Sequence, residues 1–115
     1  MAKQKSSTEV NDILRPLLSN KRIVSYLITR NIDKGHNKVY IFVVHKTPTH
    51  NSLARFWGRF GATTLSHSVT EYDLKTYQKL LNEKASKGYK LVTDEELLKN
   101  RIVYNDICTQ ISRAL

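Results

Sequence analysis

The chain predicts an α+β fold: a small antiparallel β-sheet of four to five strands, with an amphipathic helix packed on one face and a helical segment at the C-terminus. Between Arg22 and Thr70 apolar residues recur with the two-residue period of strands. The runs are separated by turn chemistry, Asp33, Gly35 and Asn37 in one place and Thr47-Pro48 in another. From Glu71 onward the period changes to that of a helix. Strands first and helices afterwards give a sheet with helices gathered on one side.

At the start, residues 1 to about 7 are polar and basic and have nothing to bury, which predicts a disordered arm. Val10, Ile13, Leu14, Leu17 and Leu18 then recur at helical spacing behind caps at Ser7 or Thr8, with Pro16 as a kink. Residues 22–30 form a strand with apolar side chains on both faces, and 32–37 form the turn of a hairpin. Lys38 to Lys46 is nearly continuous in apolar residues and reads as a central strand, Val39, Ile41 and Val43 facing one way and Tyr40, Phe42 and Val44 the other. A polar loop, 47–52, leads to the strand Leu53-Ala54-Arg55-Phe56-Trp57-Gly58-Arg59-Phe60. After Gly61, Leu65, His67 and Val69 alternate with Thr64, Ser66, Ser68 and Thr70, the pattern of a strand with one wet face.

Leu74, Tyr77, Leu80, Leu81 and Ala85 make the apolar stripe of a helix that ends at Gly88, where a left-handed C′ residue belongs. Tyr89 to Val92 is a last short strand. Thr93-Asp94-Glu95-Glu96 has the form of a capping box, with Glu96 reaching back to Thr93, and opens a helical segment interrupted at Asn105-Asp106. The organisation is thus an N-terminal arm with a short helix (1–21), a central domain (22–92) and a C-terminal helical extension (93–115).

Alternation places Ala54, Phe56 and Phe60 on one side of the third long strand and Arg55, Trp57 and Arg59 on the other. The helix 71–87 is expected to cover the Phe56 side. An indole between two guanidinium groups suits a sugar-phosphate backbone, because the ring offers an apolar plane and arginine a planar fork of donors. A core tryptophan beside two solvated arginines has the same pattern, so alternation alone leaves both readings open.

Charge favours the first. The 115 residues carry 19 Lys and Arg against 10 Asp and Glu, a formal net charge of +9. Such an excess on a small chain favours a polyanionic partner, since each cation set against a phosphate releases counterions. Lys38 and Lys46, at the ends of the central strand, and Lys75, Lys79 and Lys87, stepping along the predicted helix, join Arg55, Trp57 and Arg59 as candidate nucleic-acid contacts. A solvated helix face would carry the same lysines.

A membrane partner has little to recommend it: no apolar run approaches the ~18 residues of a spanning helix. The single cysteine, Cys108, excludes an internal disulfide and a multi-thiolate zinc site, and its apolar neighbours Ile107 and Ile111 predict a buried structural thiol. The chain reads as cytoplasmic, and as nucleoid-associated if it binds DNA. His36, His45, His50 and His67 raise the question of metal or acid–base chemistry, His45 and His67 as neighbours on adjacent strands. No carboxylate cluster or ligand pair accompanies them at metal spacing, so neither a metal nor another cofactor is expected, and no enzymatic activity.

Asn37-Lys38-Val39-Tyr40 opening a strand, Trp57-Gly58-Arg59 followed by Gly61, an amphipathic helix, and Lys84 through Gly88-Tyr89 occur in an order that resembles the WGR domain. This module is found in DNA-dependent poly(ADP-ribose) polymerases and in small bacterial proteins. The resemblance spans roughly 22–92 and implies an antiparallel sheet crossed by a helix, and binding to DNA at strand breaks. It gives Trp57 a place against the sugar of a terminal nucleotide and Arg59 a contact to backbone or neighbouring protein, with Gly58, Gly61, Gly88 and Tyr89 as structural motif residues. A side chain at Gly58 would either crowd the helix packed behind the sheet or alter the pleat that aims its neighbours, and Gly61 would supply a turn closed to other residues. Members usually carry a second glycine shortly after Gly61, and Ala62-Thr63-Thr64-Leu65 has none, which predicts a different turn.

The expected function is a non-enzymatic module that binds DNA backbone or strand ends with little sequence specificity, RNA being a further candidate ligand. The alternative is a small regulatory adaptor, encoded by a phage or mobile element, that binds and modulates a host protein.

Overall fold

The computed structural model describes residues 2–33 and 35–115, with side chains from Thr8 onward. The strands pair as expected from their alternation: β1 (Ile23–Asn31), β2 (Lys38–Lys46), β3 (Asn51–Arg59), β4 (Ser66–Glu71) and the two-residue β5 (Lys90–Leu91) form one antiparallel sheet in the order β4-β3-β2-β1-β5. β2 is central, and its residues from Val39 to His45 are all buried. Its register fixes the site, since Lys38 pairs with Arg59, Tyr40 with Trp57 and Phe42 with Arg55.

The two faces of this sheet bury different partners. Val39, Ile41, Val43, Ala54 and Phe56 form one core with Val10, Ile13, Leu14 and Leu17 of the N-terminal helices and with Leu97, Tyr104, Ile107, Cys108 and Ile111 of the C-terminal ones. The helices are α1 (Ala2–Ile13), α2 (Arg15–Leu18), α4 (Asp94–Lys99) and α5 (Arg101–Ala114), with α3 (Leu74–Ser86) remaining. On the opposite face Tyr40, Phe42, Val44 and Leu53 meet Tyr72, Tyr77, Leu80 and Leu81 of α3 and its approach.

Helices therefore cover both faces, and α3 lies on the Trp57 side, contrary to the expectation that it would cover Phe56 and Phe60. The reason is that the Tyr40, Phe42, Val44 side of β2 is as apolar as the other and needs its own cover, while the terminal segments together supply the larger apolar surface for the Phe56 side. The stripe of α3 is also displaced. Leu74 and Ala85 at its ends are exposed, and Lys84 is the half-buried member beyond Leu81.

Other boundaries moved for local reasons. The backbone of α1 is helical from Ala2, where an unstructured arm was expected; Met1 and the side chains of 2–7 lie outside the described residues. Pro16 stands at the start of α2, where its missing N–H costs nothing. The break in the C-terminal helices falls at Asn100, not at Asn105-Asp106; Asn105 instead donates to the Ile13 carbonyl (3.0 Å), tying α5 to α1. Cys108 is buried as expected, and burial pushes its thiol pKa up to about 12.

The Thr93 hydroxyl caps α4 by accepting from the Glu96 amide (3.2 Å). Glu96 does not close the box. Its carboxylate pairs with the Arg30 guanidinium and accepts from the Tyr104 hydroxyl (2.8 Å) and the Asn100 amide (3.1 Å). Arg30 continues to Asn37 (2.8 Å) and lies 3.5 Å above the Phe60 ring. Arg30 and Glu96 are thus paired within one network, in which Arg30 Nε alone is left without an acceptor, and the network anchors the C-terminal helices to the end of the sheet that carries Arg59.

Candidate nucleic-acid interface

Trp57 is half-buried, between the exposed and the core readings. Its ring stacks on Tyr40 of the neighbouring strand, with centroids 5.9 Å apart and planes 16° from parallel. Tyr40 in turn meets the edge of Tyr89 at 6.0 Å. Lys84, in the last turn of α3, holds its ammonium 4.1 Å above the Tyr40 ring and 5.7 Å from that of Tyr89. The attraction of a cation to an aromatic face holds the lysine over the sheet.

These residues enclose a cleft of about 460 Å³ lined by Lys38, Tyr40, Arg55, Trp57, Gly58, Arg59, Lys84 and Tyr89. Four of the eight are cationic, and no carboxylate is among the described residues that line it. Burial, with the charges of Lys87 and Arg55 nearby, lowers the Lys84 pKa against a smaller opposing effect of Glu83. The Nε of Arg55 is buried and has no hydrogen-bond partner. A buried donor on a charged group left without an acceptor is costly, and Arg30 Nε is buried and unpartnered in the same way. A depression of about 430 Å³ beside it, lined by Gly35, His36, Asn37, Lys38 and Arg59, shares two of the cations and extends the basic surface to the β1–β2 turn.

The motif glycines have separate physical reasons. A Cβ on Gly58 would sit 3.0 Å from Leu65 Cδ2, so the close neighbour is Leu65 and not a helix. Gly61 (φ 91°) and Gly88 (φ 95°) both occupy the left-handed region, as their turn and C′ positions require. The turn that lacks a second glycine is closed from α5: Gln110 accepts from the Leu65 amide (3.1 Å) and donates to the Ala62 carbonyl (3.3 Å).

Of the candidate contacts, Lys38, Arg55, Trp57 and Arg59 come together. Lys46 pairs with Asn51 at the other end of β2, about 26 Å from Lys38 along the strand. Lys75 and Lys79 lie on the outer side of α3 with Gln78, Asn82, Glu83 and Ser86, and Lys87 is exposed at its C-cap. Tyr40 and Lys84 line the cleft without having been singled out as candidates from the sequence. The signal for Lys84 was present, since it follows Leu80 and Leu81 on the helical stripe that reaches the sheet.

The histidines do not form a site. β3 separates His45 from His67, which were expected on adjacent strands, and His67 stacks on Phe56 (5.3 Å) on the opposite face from Trp57. Among the described residues no group of three His, Cys, Asp or Glu is placed to hold a metal ion, and no helix is long and apolar enough to cross a membrane.

The WGR domain model matches residues 24–96. The chain belongs to the WGR domain family. The match takes in the whole sheet except the first residue of β1, together with α3 and the start of α4, and leaves α1, α2 and α5 outside it. No curated protein and no solved structure matches the chain.

Proposed function

We propose that this WGR domain is a non-enzymatic nucleic-acid-binding module that holds the sugar-phosphate backbone at a strand end, with Trp57 against a sugar and Lys38, Arg55, Arg59 and Lys84 on phosphates. The observation that carries the reading is the acid-free cleft in which four cations surround a half-exposed indole. Family membership points the same way, since WGR domains are associated with nucleic-acid binding in poly(ADP-ribose) polymerases. The stacked Tyr40 fixes the plane of Trp57 before any ligand arrives, which lowers the ordering cost of binding. Contacts of this kind position a backbone but carry little sequence information.

The test is binding of the full chain to DNA across a salt series. Four phosphate contacts predict a log–log slope of roughly −3 to −4. A flat response would overturn the reading and favour a protein partner.

A further inference from the structure

β4 forms one edge of the sheet, beyond the cleft. Its register sets Ser66 opposite Trp57, Ser68 opposite Arg55 and Thr70 opposite Leu53, so three hydroxyls stand on the Trp57 face. α3 does not cover them. Its apolar side chains join Tyr40, Phe42, Val44 and Leu53, while Ser66 and Thr70 are exposed and Ser68 is half-buried. Directly opposed Cβ atoms on paired strands lie about 5 Å apart, which puts Ser68 beside the arginine whose Nε lacks a partner. Trp57 supplies a second, independent observation. Across β2 the ring is stacked on Tyr40, but towards β4 its direct neighbour is Ser66, too small to cover an indole.

Resting on the nucleic-acid reading above, we propose that the ligand is a single-stranded segment that crosses the sheet from β2 to β4. One nucleotide stacks on the β4 side of Trp57, and its phosphates take hydrogen bonds from Ser66, Ser68 and Arg55. The crossing spans two interstrand spacings, about 10 Å, a distance that a few unstacked nucleotides cover. A duplex interior keeps its stacking faces occupied, whereas an unpaired segment offers them to an aromatic side chain. Serine hydroxyls on phosphate add grip without base readout.

The experiment compares a blunt DNA duplex with the same duplex carrying a three-nucleotide single-stranded extension, for the full chain and for Ser66→Ala/Ser68→Ala, Ser66→Glu/Ser68→Glu and Trp57→Ala. Thermal melting of each variant verifies folding, and Ser66→Thr/Ser68→Thr, which keeps the hydroxyls, should bind like the parent. The extension should tighten binding at least about fivefold. The double alanine variant should lose most of that gain while its blunt-duplex affinity stays the same. The double glutamate variant should lose about tenfold or more on the extended ligand, because its carboxylates stand beside Arg55. Equal binding of both ligands, or parental affinity in the double alanine variant while Trp57→Ala fails to bind, would overturn the path across β4 and leave the nucleic-acid reading standing. Absence of binding to either DNA would remove that reading and the path with it.

Discussion

The two faces of β3 belong to one strand and differ by a single residue step, yet they carry opposite physics. Phe56 is 2 % exposed and sits among aliphatic side chains from four helices. Trp57 next to it is half-buried, stacked on one tyrosine and ringed by cations. The Phe56 face gains from excluding water completely, and its helices close over it. The Trp57 face is closed only where α3 crosses β2, and it stays open where Arg55, Trp57 and Arg59 emerge. A two-residue period thus lets one strand send Ala54 and Phe56 into a closed core and Arg55, Trp57 and Arg59 to an open basic face.

The largest effect that would test this division is on the closed face. Phe56→Ala should lose about 3–5 kcal/mol of folding stability through the cavity it leaves, measured by denaturant unfolding. A loss below 1 kcal/mol would show that the face is not the core described above. Gly58→Ala should follow, at about 1–3 kcal/mol, because its Cβ would press on buried Leu65. A neutral result there would mean that Leu65 yields easily.

On the open face the effects fall on binding. Lys84→Ala should make the salt slope shallower by about one, whereas Lys79→Ala, on the outer side of α3, should leave it unchanged. Equal effects from the two lysines would mean that the binding surface extends around α3. A smaller effect concerns pH. The Lys84 pKa is lowered chiefly by burial, so this lysine loses its charge at a lower pH than an ordinary lysine. A phosphate beside it favours the charged form, so binding takes up protons and affinity should fall as pH rises, beginning below the range in which an ordinary lysine titrates. Lys84→Arg should flatten that fall, and an unchanged profile in the arginine variant would separate Lys84 from the ligand.

Much of the sheet was legible in the chain because β2 is a continuous apolar run, the strands around it are short and β-branched or alternating, and each turn has its own chemistry. Arg55, Trp57 and Arg59 share a face by parity alone, and Lys38 joins them through the hairpin register. The cover of each face was not legible. Both sides of β2 are apolar, so periodicity could not say which side α3 would take, and the N-terminal helix gave no sign that it would complete the Phe56 core with α5. Lys84 reads as one more surface lysine until α3 is set on the Trp57 side, where the rings of Tyr40 and Tyr89 await its ammonium. Glu96 illustrates the same limit, since its capping pattern is local while its partner Arg30 is 66 residues away.

The most direct test of the division between the faces is to measure melting and DNA binding on one variant, Trp57→Ala. Loss of the stack on Tyr40 and of the ring's half-buried surface should cost about 1–2.5 kcal/mol of stability, and loss of the sugar or base contact about 1–3 kcal/mol of binding. Parental affinity, or a stability loss of about 3–5 kcal/mol with weakened binding that tracks the unfolded fraction, would contradict the account and return Trp57 to the core.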